Sequence, residues 1–217
     1  MMEYTGKYWK MIIPLAKKSL VKRYGKEYTS SLIKKADVEY RDMLNRADDI
    51  GKDNPMASNT YECLVFLALW KAADGKISVD ELRAITVEVM SAPPLKLMGL
   101  IINANKQRGL NKLRSMMVKD AEWLEQHPQY KKYSWDFHFD DSKHKDGFCY
   151  HFTKCPLNTF ARKEGYLEVL PVLCETDLLT AELMHAKLIR EYTLASGGDM
   201  CDYWFVGDKS PEADKHK

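Results

Sequence analysis

The hydrophobic period of this chain changes near residue 130, and that change limits what it can fold into. Upstream, apolar residues recur at helical spacing. Residues 5–24 and 26–47 read as two helices that meet at Gly25. Residues 58–73 hold the dense apolar run Tyr61 to Trp70, which suits a buried helix. Ser78 with Glu81 three residues on has the form of a capping box and opens a helix over about 79–91. Pro93-Pro94 stops that helix. A short helix and a longer one, over about 105–127, are expected before Pro128.

Downstream the period is two. Trp135, Phe137 and Phe139 alternate with Asp136, His138 and Asp140, as in a half-buried strand. The polar stretch 141–147 reads as a turn and 148–154 as a second strand, paired with the first as a hairpin. Pro156 opens a helix at the position where proline is tolerated, and Gly165 closes it. Residues 167–184 read as helical, with a break around Cys174 to Thr176. Residues 186–194 and 200–206 read as two more strands, joined across Gly197-Gly198. The order β-β-α-α-β-β needs only hairpin turns, so the sheet is expected to be antiparallel with helices on one face. That is an α+β fold. It divides into a helical region, 1–130, and an α+β region, 131–217, which together make one compact domain or two lobes.

A chain of 217 residues can bury a core without disulfide staples. Its net charge of +2 gives no case for a nucleic-acid partner. Residues 1–35 carry nine Lys/Arg and two Glu, a pattern expected of a solvated helix face. No stretch has the roughly 18 apolar residues of a membrane span, and no secretory signal is read at the start. The chain is therefore expected in the cytoplasm with its five cysteines as free thiols, metal ligands or catalytic groups. Asp74-Gly75-Lys76-Ile77 with Glu81 mimics half of a calcium loop. The early ligand positions would be Trp70 and Ala72, which offer no side-chain oxygen, so the segment reads as a capped turn.

Four of the cysteines, Cys149, Cys155, Cys174 and Cys201, fall within one window, interleaved with His151, Asp177, His185 and Asp202. Alternation on the second strand sends Phe148, Tyr150 and Phe152 to one face and Cys149, His151 and Thr153 to the other, with Cys155 continuing the latter set. Cys149 reads as a packing residue. Cys155 precedes a helix, whose free N–H groups favour a thiolate, and Lys154 beside it adds to this. Cys174 and Asp177 share a helix face. Gly198 lies in a turn whose N–H groups could approach a substrate carboxylate, and Arg190 could pair with the same group.

Several segments resemble the L-2-amino-thiazoline-4-carboxylic acid hydrolase family. They are Lys154-Cys155-Pro156, then Leu170 to Asp177, then Met184-His185-Ala186, then Leu194 to Trp204, within about 135–208. The resemblance implies a hydrolase that acts on a cyclic amidine, opening 2-amino-thiazoline-4-carboxylate to N-carbamoyl-cysteine. The expected catalytic set is Cys155 as nucleophile, His185 as general acid/base and Asp177 as its orienter. Cys174, Cys201, Asp202, Arg190 and Gly198 form the expected substrate-binding set, and a small molecule is the expected partner. No cofactor is expected. The alternatives are a metal-dependent hydrolase holding its ion on the Cys/His/Asp set, although no tight Cys-x-x-Cys spacing is present, and a non-catalytic small-molecule or redox sensor.

Overall fold

The computed structural model describes residues 1–95 and 101–216. Four helices open the chain: α1 (Lys7–Tyr24), α2 (Lys26–Arg46), α3 (Ala57–Ala72) and α4 (Val79–Met90). Gly25 separates the first two with φ of 79° and ψ of 166°, a backbone conformation open to glycine at little cost. Ser78 caps α4 as expected: its side chain accepts from the Glu81 N–H while Glu81 accepts from the Ser78 N–H. The short helix expected after Pro94 falls largely on 96–100, outside the described residues. The longer one is α5 (Gln107–Gln126).

Helix α3 is the centre of the helical region. Leu64 to Leu69 are all buried, so this helix is apolar all round and packs against α1, α2 and α4. None of the described helices is long and apolar enough to cross a membrane.

The second half supplies an antiparallel sheet of β1 (His138–Phe139), β2 (Phe148–Phe152), β3 (Ala186–Ile189) and β4 (Cys201–Gly207), in the spatial order β1-β2-β4-β3. Between β2 and β3 run α6 (Pro156–Glu164), α7 (Leu170–Cys174) and α8 (Thr176–Leu183), and α9 (Pro211–Lys215) follows β4. The helix break expected around 174–176 lies at Glu175, between α7 and α8. The fold is α+β. Three strands are shorter than their sequence pattern, and β2 ends at Phe152. The alternation over 135–139 pairs only at His138 and Phe139, and β3 ends at Ile189. After Ile189 the chain is tied to Asp202, whose carboxylate accepts from the Glu191 and Tyr192 N–H groups, in place of a backbone ladder.

Register places Tyr150 opposite Tyr203 and Phe148 opposite Phe205. The first pair stacks with ring centroids 4.9 Å apart and the second at 5.3 Å. This aromatic face packs on the helices, within one hydrophobic core that also includes α1 to α4. On the opposite face, Cys149, Trp204, Ile189 and Val206 form a small separate cluster closed by Ala213 of α9.

Candidate active site

A cavity of about 240 Å³ lies between the aromatic face of the sheet and the helices. Its wall from α3 is one helical stripe, Ser58, Asn59, Glu62, Cys63 and Phe66, at the i, i+3, i+4 spacing of a single face. Leu113, Met116 and Met117 of α5 close another side. Tyr150, Phe152, Tyr203 and Phe205 form the floor. The remaining wall brings Cys155, Asn158, Cys174, Asp177 and Cys201 onto the same space.

Asp177 stands in the first turn of α8. Its Oδ2 accepts from the Tyr203 hydroxyl at 2.7 Å and from Arg190 Nη1 at 3.0 Å. The second Arg190 nitrogen donates to the Cys174 carbonyl at 3.1 Å. Arg190 is therefore behind the wall, with 8% of its side chain exposed, and does not line the cavity. Asp177 keeps 35% of its side-chain surface accessible and does line it. Burial pushes the Asp177 carboxyl up, against the pull of Arg190 and Tyr203. The result is a carboxylate with one oxygen fixed from behind and a free edge toward the cavity.

Cys155 precedes α6. Strand geometry stops at Phe152, because Asp136 gathers the next corner: its Oδ1 accepts from the Thr153 and Lys154 N–H groups at 2.8 and 2.7 Å. That corner turns Cys155 onto the aromatic face, not the face expected from alternation. Lys154 donates to the Lys131 carbonyl at 3.3 Å and does not line the cavity. The N–H groups of Asn158 and Leu157 are directed at the Cys155 thiol and favour its anion. Burial outweighs them and raises the thiol to about 12. Burial also raises Cys63, Cys174 and Cys201, and each of them feels the charge of Asp177. At neutral pH these raised thiols are protonated.

These elements fall within a single family match. Residues 58–205 match the family model of L-2-amino-thiazoline-4-carboxylic acid hydrolase. The chain belongs to this family. No curated protein matches it. The family span takes in α3, α4 and α5 as well as the sheet, whereas the resemblance legible in the sequence began near residue 135. It covers the cavity wall except Pro55 and Met56. The family's name is that of a hydrolase.

Four of the residues expected at a hydrolase site here do not reach the cavity. His185 precedes β3 with φ of 53°, its side chain is 46% exposed, and its ring pairs with Asp208 at 3.3 Å. Asp177 therefore orients no histidine. Asp202 alternates with Cys201 and Tyr203 on β4 and so lies on the opposite face, where it holds the chain after β3. Gly198 does not line the cavity, and its N–H is used by the Thr193 carbonyl at 2.9 Å. Arg190 serves Asp177 and is not free to hold a substrate carboxylate. Cys155, Cys174, Asp177 and Cys201 do converge on one wall. Among the described residues, no three His, Cys, Asp or Glu side chains are grouped so as to hold a metal ion.

Two further groups in the cavity were not anticipated. Burial raises the Glu62 carboxyl to about 7, opposed only by the distant charge of Lys7. The sequence carried a signal for it: Glu62 is the one charged residue in the run from Thr60 to Trp70, on a helix that is otherwise apolar all round. Asn158 Oδ1 is buried and has no hydrogen-bond partner among the described residues.

Proposed function

We propose that this protein opens a small cyclic amidine of the 2-amino-thiazoline type, with Cys155 as nucleophile and Asp177 as the proton carrier. The observation that carries the reading is that a thiol at the start of α6 and a carboxylate anchored from behind line the same cavity. The family membership supplies the reaction class.

The ring carbon between nitrogen and sulfur is electrophilic when the amidine is protonated. Cys155 delivers its proton to Asp177, and its sulfur bonds to that carbon. The ring carbon–sulfur bond breaks, and the ring sulfur leaves as a thiol after taking the proton back. The carbon is then held on Cys155 as an isothiouronium. Water adds to it, a proton again passes through Asp177, and the Cys155 thiolate departs. The product is a urea, N-carbamoyl-cysteine when the ring carries a 4-carboxylate. One water is consumed and no other co-reactant is needed. The bond cleaved is thus carbon–sulfur and not the amidine carbon–nitrogen bond.

The thiol starts neutral, since burial holds it near 12. A cationic amidine beside it favours the thiolate, and the Leu157 and Asn158 N–H groups hold the sulfur anion as it forms and leaves. Asp177 replaces the exposed His185 as acid/base in this scheme.

The test is ring opening of 2-amino-thiazoline and of its 4-carboxylate, followed as urea product by chromatography. Wild-type protein is expected to turn over at least one of them. Cys155→Ala should lose roughly 10³-fold or more in rate. Near-normal turnover in that variant overturns covalent catalysis, and no turnover of either ring by wild-type protein overturns the hydrolase reading.

A further inference from the structure

The ionisable lining of the cavity is one-sided. Glu62 and Asp177 line it, while no lysine, arginine or histidine does so among the described residues. Arg190, the nearest guanidinium to Asp177, is spent on Asp177 and the Cys174 carbonyl. The orphaned polar atom of the wall, Asn158 Oδ1, is another acceptor. The hydroxyls of Thr176 and Thr180 are already donating to the Leu173 and Thr176 carbonyls. Glu62 of α3 and Asp177 of α8 thus face one space from two different helices. The rest of the lining is aromatic, aliphatic, thioether and thiol, with Ser58 and Asn59 as further neutral polar groups.

A substrate carboxylate placed here would sit beside two carboxyl groups with no cation among the described residues to pair it, the costly arrangement for a buried ion. A flat cation rich in N–H donors meets the opposite situation. It would neutralise Glu62, use the free edge of Asp177 and satisfy Asn158. At about 240 Å³, the cavity is just below the roughly 300–1,000 Å³ of ordinary ligand sites, so the body of such a ligand is small.

We infer that this cavity selects a small apolar-bodied monocation, an amidinium, isothiouronium or guanidinium, and among the described residues offers no cationic partner for a carboxylate on the substrate. This rests on the hydrolase reading for its chemistry and departs from the acid in the family's name. Glu62 is the group that receives the cation, with Asp177 at its other edge. Because burial holds the Glu62 carboxyl near 7, binding of a cation at pH 6 releases a proton to the buffer.

Benzamidinium and benzoate test the charge preference on wild-type protein, since they share a shape and differ in sign. Benzamidinium is expected to raise the melting temperature and benzoate to leave it unchanged. The reverse order overturns the inference. Titration calorimetry on Cys155→Ala, which removes turnover, then compares 2-amino-thiazoline with its 4-carboxylate. The parent ring is expected to bind at least tenfold tighter, and Glu62→Gln should weaken it tenfold or more. Tighter binding of the 4-carboxylate, or wild-type affinity in Glu62→Gln, overturns the inference. Turnover separates the two readings. Protein that binds the parent ring and opens neither ring overturns the hydrolase reading alone. Protein that opens the 4-carboxylate with the higher kcat/KM overturns the cation preference alone.

Discussion

Arg190 Nη1 donates to Asp177 Oδ2 at 3.0 Å from a position where only 8% of the Arg190 side chain is exposed. A buried guanidinium and a cavity-facing carboxylate hold each other in place. Truncating the cation leaves the carboxylate uncompensated, which is costly for a buried pair. Arg190→Met should therefore lower stability by about 3 kcal/mol, the low end for such pairs because Asp177 retains accessible surface. Urea denaturation at pH 7 measures it, and a loss within experimental error would show that the pair has no structural role. Tyr203→Phe removes the 2.7 Å bond to the same oxygen and the 3.3 Å bond that the hydroxyl accepts from Arg190 Nη1, and should cost about 1–2 kcal/mol.

The buried thiols make the fold sensitive to alkali. Burial raises Cys63 and Cys201 above their ordinary range, while an unfolded cysteine titrates near ~8.5. Above that pH the unfolded chain loses protons that the folded protein keeps. The stabilisation is full below about pH 8.5 and falls as pH rises, by about 1.4 kcal/mol per unit for each thiol. Stability measured at pH 9.5 should be at least about 2 kcal/mol below that at pH 7.5. Equal values would mean that the thiols titrate normally and are solvated.

One buried carboxyl group couples stability to pH between about 4 and 8. Asp120 of α5 is fully buried, and neither oxygen has a hydrogen-bond partner among the described residues. Burial raises it to about 7. The nearby Met56 N–H, whose bond goes to Asn54 Oδ1 at 2.8 Å, offsets this only in part. The folded state prefers the protonated form, so this stabilisation is present below about pH 4 and lost as pH rises through 7. Asp120→Asn should gain about 2–4 kcal/mol at pH 8 and nothing at pH 4. Thermal unfolding of both proteins at the two pH values decides it, and an equal effect at both would remove the titration argument.

His185 is predicted to be dispensable for turnover. It pairs with Asp208 on the surface and adopts a positive φ that asparagine also tolerates. His185→Asn should change kcat/KM by less than about threefold, whereas Asp177→Asn should cost roughly 10²-fold or more. A comparable loss in both variants would restore the histidine to the reaction.

Much of the fold was legible because it depends on neighbours in sequence. The switch from a period of 3.6 to one of two, the Ser78–Glu81 box, Pro156 at a helix start, Gly165 at its end and the break at Glu175 are short-range matters of hydrogen bonding and φ. The family resemblance was legible for the same reason, through runs such as Lys154 to Pro156. Pairing length was not. The alternation at Trp135 and Phe137 expresses burial, and only His138 and Phe139 find ladder partners in β2. Glu62 carried a sequence signal, an isolated charge in an apolar helix.

The chain by itself determined that an antiparallel sheet would carry an aromatic face against helices, and that thiols and carboxylates would gather downstream. Tertiary structure decided which of them share a space. Asp136, 17 residues from Thr153, turns the corner that puts Cys155 on the aromatic face. Strand alternation sends Cys201 and Asp202 to opposite faces, and a positive φ at His185 leaves its imidazole outside the cavity. Helix α3, far upstream, contributes the second carboxylate. Proton transfer and charge pairing act over a few ångströms, and distances of that size are set by the packing of remote segments, which local sequence does not specify.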